Sequence, residues 1–263
     1  IETPTWALLL AESCRSKNFS VDILDTNAEQ LDDKNSFEKI KALNPKLILF
    51  VVYGQNVNAG TTNMSGTVRL AKYLKSKHLK IPISIVGSHV QALPLETLKK
   101  ETSIDFVFTN EGVYALHNLL KTNLKISDLK NIKGIAYRNG TEIEINNPEK
   151  IVPQDRLDYD LPGYAWDLLP YKNKPFDLYR SPLWHAEYKE EFRSPYAAIQ
   201  TSLGCMFGCD FCMINIINRD DNKEIGVASD YSKMRYWSTE FIIKEFEKLI
   251  SYGVKTIKIT DEM

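Results

Sequence analysis

The sequence predicts an α/β fold in which a doubly wound, Rossmann-like parallel sheet precedes a C-terminal βαβ unit. Three observations carry that prediction. Residues 47–53 (LILFVVY) are a continuous apolar run, as a strand buried on both faces of a parallel sheet requires. Shorter strand-like runs at 21–25, 83–87 and 105–109 alternate with segments whose apolar residues recur at helical spacing. Near the end of the chain, runs at 196–200 and 256–260 bracket an amphipathic stretch.

Residues 4–17 read as a helix, so the chain opens on a helix where a doubly wound domain opens on a strand. The expectation is that the first strand and the loop after it are missing from this sequence. Phe37, Ile40 and Leu43 mark the next helix, Val68, Ala71 and Leu74 another, and Val113, Leu116 and Leu120 a third. Residues 134–138 and 141–145 flank Asn139-Gly140, the strongest short-range hairpin signal. Residues 148–195 are rich in Pro, Asp, Tyr and Trp and lack periodicity. They read as a connector packed across the surface between domains, because their aromatics bury area that a flexible linker lacks. A helix is expected over 239–251, with Phe241, Phe246, Leu249 and Ile250 as its buried stripe and Gly253 near its C-terminal end. The expected division is 1–130 for the sheet domain, 131–195 for hairpin and connector, and 196–263 for the start of a second domain.

Composition excludes several classes. The 263 residues carry a net charge of −1, which leaves no electrostatic footprint for nucleic acid or a membrane surface. No apolar run approaches the roughly 20 residues that span a bilayer. Ile1-Glu2-Thr3-Pro4 has no basic region of a signal peptide. A cytoplasmic location is the expectation, with no nucleic-acid and no membrane partner. Of four cysteines, three lie within eight residues, the arrangement of a metal site built from reduced thiolates and not of a disulfide framework.

That cluster is Gly204-Cys205-Met206-Phe207-Gly208-Cys209-Asp210-Phe211-Cys212. Soft thiolates select zinc, copper(I) or iron–sulfur centres. Three ligands leave one iron of a four-iron cluster open to a substrate. Gly204 and Gly208 let the backbone curl closely around an inorganic core. Structural zinc is the competing reading, which makes the protein a non-catalytic zinc-binding module. It needs a fourth ligand, and His185 is the available candidate, because Cys14 is remote and sits in an apolar helical segment. The sequence singles out no catalytic acid, base or nucleophile.

The CxxxCxxC loop, with Phe211 before the third cysteine, resembles the radical S-adenosylmethionine (SAM) superfamily. The resemblance implies a [4Fe–4S] cluster on Cys205, Cys209 and Cys212, SAM on the open iron, and Phe211 beside the adenine. It also implies a (β/α) partial TIM barrel beginning at residue 196, with Asp261 and Glu262 after its second strand as groups for the methionine amine. The N-terminal part looks like the cobalamin-binding domain of one subgroup of that superfamily. The resemblance rests on Val52-Tyr53-Gly54-Gln55-Asn56, Val86-Gly87-Ser88-His89 and Asn110-Glu111-Gly112 at three strand ends, and on a connector around Leu157–Pro162 and Ala165–Pro170. Tyr53, Gly54, Gly87, Ser88, Glu111 and Gly112 are then the expected cobalamin contacts, at the carboxyl ends of strands where open α/β sheets bind ligands. The Asp-x-His-x-x-Gly loop of some cobalamin proteins is absent, and His89 follows a different strand.

The resemblance further implies an enzyme that cleaves SAM reductively to a 5′-deoxyadenosyl radical. Cobalamin-dependent methyl transfer to an unactivated carbon of a small molecule would follow, with an electron donor such as flavodoxin or ferredoxin as partner. Rearrangement, cyclisation or oxidation on the same architecture is the alternative. A methylthiotransferase fits less well, since that group carries three further N-terminal cysteines and only Cys14 is available. With two barrel strands in hand, the chain is expected to be part of a longer enzyme.

Overall fold

The computed structural model describes residues 3–54, 59–170, 195–217 and 234–262. The elements run in chain order α1 (Thr5–Arg15), α2 (Asp33–Leu43), β1 (Ile48–Val51), α3 (Gly60–Ser76), β2 (Ile83–Val86), α4 (Ser88–Ala92) and α5 (Pro94–Lys100). There follow β3 (Phe106–Phe108), α6 (Val113–Leu120), α7 (Ile126–Leu129), β4 (Ile135–Asn139), β5 (Glu142–Ile145) and α8 (Leu157–Asp160). The last are β6 (Tyr196–Ile199), β7 (Ser202–Leu203), α9 (Ile214–Ile217), β8 (Arg235–Tyr236), α10 (Thr239–Ser251) and β9 (Thr256–Ile259). They divide into two compact units, each assembled from separate stretches of chain. One holds Asp33–Pro153 and Gly204–Lys233; the other holds Ile1–Asp32, Gln154–Leu203 and Met234–Met263.

The first unit is built on a five-stranded sheet in the order β1-β2-β3-β4-β5. β1, β2 and β3 are parallel, and the Asn139-Gly140 hairpin β4–β5 extends the sheet antiparallel from β3, with Phe106 opposite Tyr137. The apolar strand runs explain the core: Ile83, Ile85, Val86, Val107 and Phe108 are wholly buried, with α4 packed on β2 and β3 and α5 on β3. Asp105 locks β2 to its surroundings, accepting from Ile83 N at 2.7 Å and from Lys75 Nζ at 2.8 Å. β1 is only half-buried throughout, because it has one strand neighbour among the described residues.

The expected strand at 21–25 does not form. These residues belong to no ladder among those described. A run of β-prone residues becomes a strand only when another strand takes up its backbone donors and acceptors.

In the second unit β6 and β9 pair in parallel, Tyr196 with Thr256 through Ile199 with Ile259, and α10 is the helix between them. Ser238 caps α10 by accepting from Phe241 N at 3.2 Å. The stripe of α10 differs from the one expected. Phe241 and Leu249 are buried, Ile250 is exposed, and the third buried position is a carboxylate, Glu245. The carboxylate is tolerated because Trp166 Nε1 donates to its Oε2 at 2.8 Å and Lys248 Nζ donates to its Oε1 at 2.6 Å.

Within this unit Tyr164 and Trp166 of the connector are buried. Tyr164 stacks on Trp166 at 4.9 Å and Trp237 stacks on Phe241 at 5.4 Å, with Tyr164 and Trp237 6.3 Å apart between the two pairs. Helix α1 joins this cluster, with Leu8 and Leu9 fully buried and Leu8 O accepting from Ala165 N at 3.3 Å. Trp184, His185 and Tyr188 lie outside the described residues. No described helix is long and apolar enough to cross a membrane.

Candidate functional site

The carboxyl ends of β1, β2 and β3 meet at one edge of the five-stranded sheet, and close backbone approach shapes that edge. A side chain on Gly87 would place its Cβ 2.0 Å from Val52 O, and one on Gly60 would sit 1.9 Å from Ser88 Oγ. Gly54 is equally tight against Ala59, at 2.4 Å. The missing side chain of Gly87 thus accommodates the β1 carbonyl, which lets the two strand ends close on each other.

Polar groups are concentrated under these ends. Gln91, on α4, donates through Nε2 to Tyr53 Oη at 3.0 Å and to Asn110 O at 2.5 Å, so one buried side chain ties the first strand end to the third. Asn110 accepts from Gly112 N at 3.1 Å and donates to Glu149 O at 2.7 Å. Glu111 is buried and accepts from Val152 N, which anchors the chain leaving the hairpin. Gly112 opens α6 with φ +84°, a conformation glycine adopts without strain.

Of the six expected cobalamin contacts, the sheet therefore brings Tyr53, Gly54, Gly87, Ser88, Glu111 and Gly112 to one edge. Gln55 and Asn56 lie outside the described residues. Gln91 and Gly60 also carry the architecture of this edge and gave no sequence signal, because a buried glutamine has no periodicity to betray it.

The edge has a feature that fits a ligand with polar arms. Ser88 Oγ and Gln91 Oε1 are buried with no hydrogen-bond partner among the described residues. Leaving such a group without a partner costs about 1–3 kcal/mol, so the pair is suited to a ligand that supplies the missing donors and acceptors. His89 lies within helix α4, with Nδ1 2.9 Å from Thr61 Oγ1, and burial followed by the nearby Lys100 charge lowers its pKa.

The cysteine loop belongs to the same compact unit as this sheet. The helix directly after it, α9, packs against α4, burying Ile214 and Ile217. Cys205 and Cys212 are half-buried, Cys209 is exposed, and all three are free thiols. Cys212 N donates to Cys209 O at 3.0 Å, and Phe207 N approaches Cys205 Sγ at 3.5 Å. Met206, Phe207 and Phe211 are exposed, Phe211 by 81%.

Among the described residues, no three His, Cys, Asp or Glu side chains converge into a ready-made metal set. The loop keeps the three thiols adjacent in sequence without gathering them. Its donor set nevertheless fits an iron–sulfur cluster, being three accessible soft ligands flanked by glycine. Cys14 fits no such role, since burial pushes its thiol up to about 12 and a metal requires the thiolate.

Asp261 and Glu262 follow β9 in the other unit. Asp261 accepts from Thr201 N at 2.6 Å and Ser202 N at 3.2 Å through Oδ1, and from Thr201 Oγ1 at 2.5 Å through Oδ2. Glu262 is exposed.

Residues 1–120 match the model of the B12 binding domain family. An uncharacterised methyltransferase of Pyrococcus horikoshii is 26% identical over 98% of this chain and 49% of its own length. The cobalamin-dependent radical SAM methyltransferase TokK of Streptomyces tokunonensis is 27% identical over 76% of this chain and 26% of its own. The anaerobic magnesium-protoporphyrin IX monomethyl ester cyclase of Synechocystis is 25% identical over 73% of this chain and 34% of its own. The chain thus spans half or less of the length of these relatives.

Among solved structures, the cobalamin-dependent SAM radical enzyme OxsB, with aqua-cobalamin and SAM bound, superposes with a TM-score of 0.65 at 17% identity, covering 98% of this chain and 32% of that one. The radical SAM methyltransferase TsrM of Kitasatospora setae, with cobalamin and a [4Fe–4S] cluster bound, superposes with a TM-score of 0.65 at 16% identity, covering 99% of this chain and 45% of that one. These likenesses establish the fold, a parallel-type α/β sheet followed by a second α/β unit.

Proposed function

We propose, on the premise that residues 1–120 are a B12 binding domain and that the whole chain is similar to cobalamin-dependent radical SAM proteins, that it is the cofactor-binding portion of a cobalamin-dependent radical SAM methyltransferase acting on a small molecule. On this reading residues 1–130 form the cobalamin domain, 131–195 the hairpin and connector, and 196–263 the start of the partial barrel. The observation that carries it is the grouping of the cysteine loop with the B12-type sheet in one compact unit, joined through α9 on α4.

Cys205, Cys209 and Cys212 would hold a [4Fe–4S] cluster and Phe211 would line the adenine of SAM. Tyr53, Gly54, Gly87, Ser88, Glu111 and Gly112 would surround cobalamin, with Gln91 fixing the positions of Tyr53 and Asn110. When bound, these cofactors supply the radical and the methyl group. The protein's own work is to hold them, orient them and exclude water. The exposed Met206, Phe207 and Phe211 suit a loop whose apolar surface is covered once SAM and the substrate are in place. A flavodoxin- or ferredoxin-type donor is the electron source on this reading.

The test is whether both cofactors reside on one chain. Anaerobic reconstitution followed by desalting should leave about four iron and four labile sulfide per chain, together with retained hydroxocobalamin. Zinc without labile sulfide would replace this reading with the zinc-binding one. A cluster without retained cobalamin would favour radical chemistry other than methyl transfer.

A further inference from the structure

Glu245 holds a core position of α10 at 1% exposure, and the binding of cobalamin, cluster and SAM makes no use of it. Replacing a buried ion pair by apolar side chains of similar size is often neutral or stabilising, so packing alone does not account for this carboxylate. Its two oxygens have different partners. Oε1 accepts from Lys248 Nζ at 2.6 Å, and Oε2 accepts from Trp166 Nε1 at 2.8 Å.

Trp166 is the innermost ring of a cluster of oxidisable side chains. It is fully buried and stacks on Tyr164 at 4.9 Å with an interplanar angle of 19°. Tyr164 lies 6.3 Å from Trp237, the most exposed of the three. Indole and phenol rings lose a single electron far more readily than aliphatic or peptide groups, and rings in contact pass such a charge between them.

Where the charge comes to rest depends on which ring can shed a proton. An indole N–H is inert as an acid until the ring is oxidised, and then it is strongly acidic. Tyr164 Oη donates to Gln200 O at 2.7 Å and Trp237 Nε1 donates to Leu161 O at 3.0 Å. Both acceptors are backbone carbonyls, which do not take up a proton. Burial also holds the Tyr164 hydroxyl well above the usual phenol range. Of the three rings, Trp166 alone donates to a carboxylate among the described residues, and a carboxylate can keep the proton it is offered.

We propose that Trp166 and Glu245 form a proton-coupled trap for one-electron oxidants of the organic-radical class, with Trp237 and Tyr164 passing the charge inward. One electron leaves the indole for the oxidant, which is reduced to its anion. The indole proton crosses the hydrogen bond from Nε1 to Oε2. The products are a neutral tryptophanyl radical and a protonated Glu245. Lys248, 36% exposed on Oε1, then carries the positive charge left behind and shares it with solvent. All these groups lie in the unit without the cysteine loop, so the trap stands apart from the radical SAM reading.

Flash photolysis of the full chain, with a photogenerated ruthenium(III) polypyridyl as the oxidant, tests this. Transient absorption identifies the radical, and time-resolved infrared follows the carboxyl groups. Wild type should give the neutral tryptophanyl radical together with the carbonyl band of a protonated carboxyl, and the radical should form more slowly in deuterium oxide. Glu245→Gln keeps an acceptor for the indole but cannot take its proton. Its neutral-radical signal should fall to the level left by Trp166→Phe, and the carboxyl band and isotope effect should vanish. Trp6 and Trp184 are present in every variant and cancel in the comparison.

The proposal is overturned if Glu245→Gln forms the neutral radical in wild-type yield, or if Trp166→Phe leaves the radical signal and the carboxyl band unchanged. Should Glu245→Gln fail to fold, Trp166→Phe and the isotope effect in wild type decide the matter.

Discussion

Gly87→Ala and Gly66→Ala make the same chemical change with opposite expected signs. At Gly87 the new methyl would lie 2.0 Å from Val52 O and 2.7 Å from Val52 C, both backbone atoms that cannot swing away. The ends of β1 and β2 must separate, and overpacking of that kind costs about 1–3 kcal/mol. Separation also weakens the bond from Val52 N to Val86 O, 2.8 Å in the wild type, adding about 1 kcal/mol. The expected loss is therefore about 2–4 kcal/mol. At Gly66, inside α3 and exposed, a Cβ meets nothing within 4 Å. Replacing a mid-helix glycine by alanine there should stabilise by about 0.5–1 kcal/mol. Urea denaturation followed by far-UV circular dichroism reads both, and cobalamin retention should fall only for Gly87→Ala. Equal stability of Gly87→Ala and wild type would refute the close-approach argument, as would destabilisation by Gly66→Ala.

Other perturbations follow from the same geometry. Replacing Cys205, Cys209 or Cys212 with alanine should abolish labile sulfide after reconstitution, whereas Cys14→Ala should leave it intact, because the buried Cys14 thiol is protonated up to about 12; a sulfide assay separates the two cases. Trp166→Phe removes the donor to the buried Glu245 Oε2 and should cost about 1–3 kcal/mol in chemical denaturation. Burial first, and then the bond from its hydroxyl to Glu144 Oε2 at 2.5 Å, raises Tyr137 to about 12. A raised folded value means that its contribution to stability is complete below the unfolded value of about 10 and is lost between pH 10 and 12. Tyrosine carbon NMR should show that late titration, and Glu144→Gln should bring it partway back.

The strands of the sheet were legible because each is a short apolar run closed by a turn residue, and the Asn139-Gly140 hairpin announced itself. Where β6 and β9 pair and where the cysteines lie also follow from local pattern. What local pattern could not convey was partnership. Residues 21–25 have strand composition but no ladder among the described residues. Position 245 fills the core slot of α10 with a carboxylate, because Trp166 and Lys248, one distant and one three residues on, satisfy it. Gln91 and Asn110 organise three strand ends through bonds that span 38, 19 and 39 residues, a relation no window of sequence contains. The bonds that Thr201 N and Ser202 N make to Asp261 span 60 and 59 residues and are equally invisible to local pattern.

The central claim is that Cys205, Cys209 and Cys212 share one four-iron cluster with an iron left for SAM. Electron–nuclear double resonance on the reduced, reconstituted chain, with SAM labelled with nitrogen-15 at its amino group, tests it most directly. The account predicts a nitrogen coupling that appears on adding SAM and disappears when any of the three cysteines is replaced. An iron–sulfur signal without that coupling, or a loop that takes up zinc and no sulfide, would contradict it.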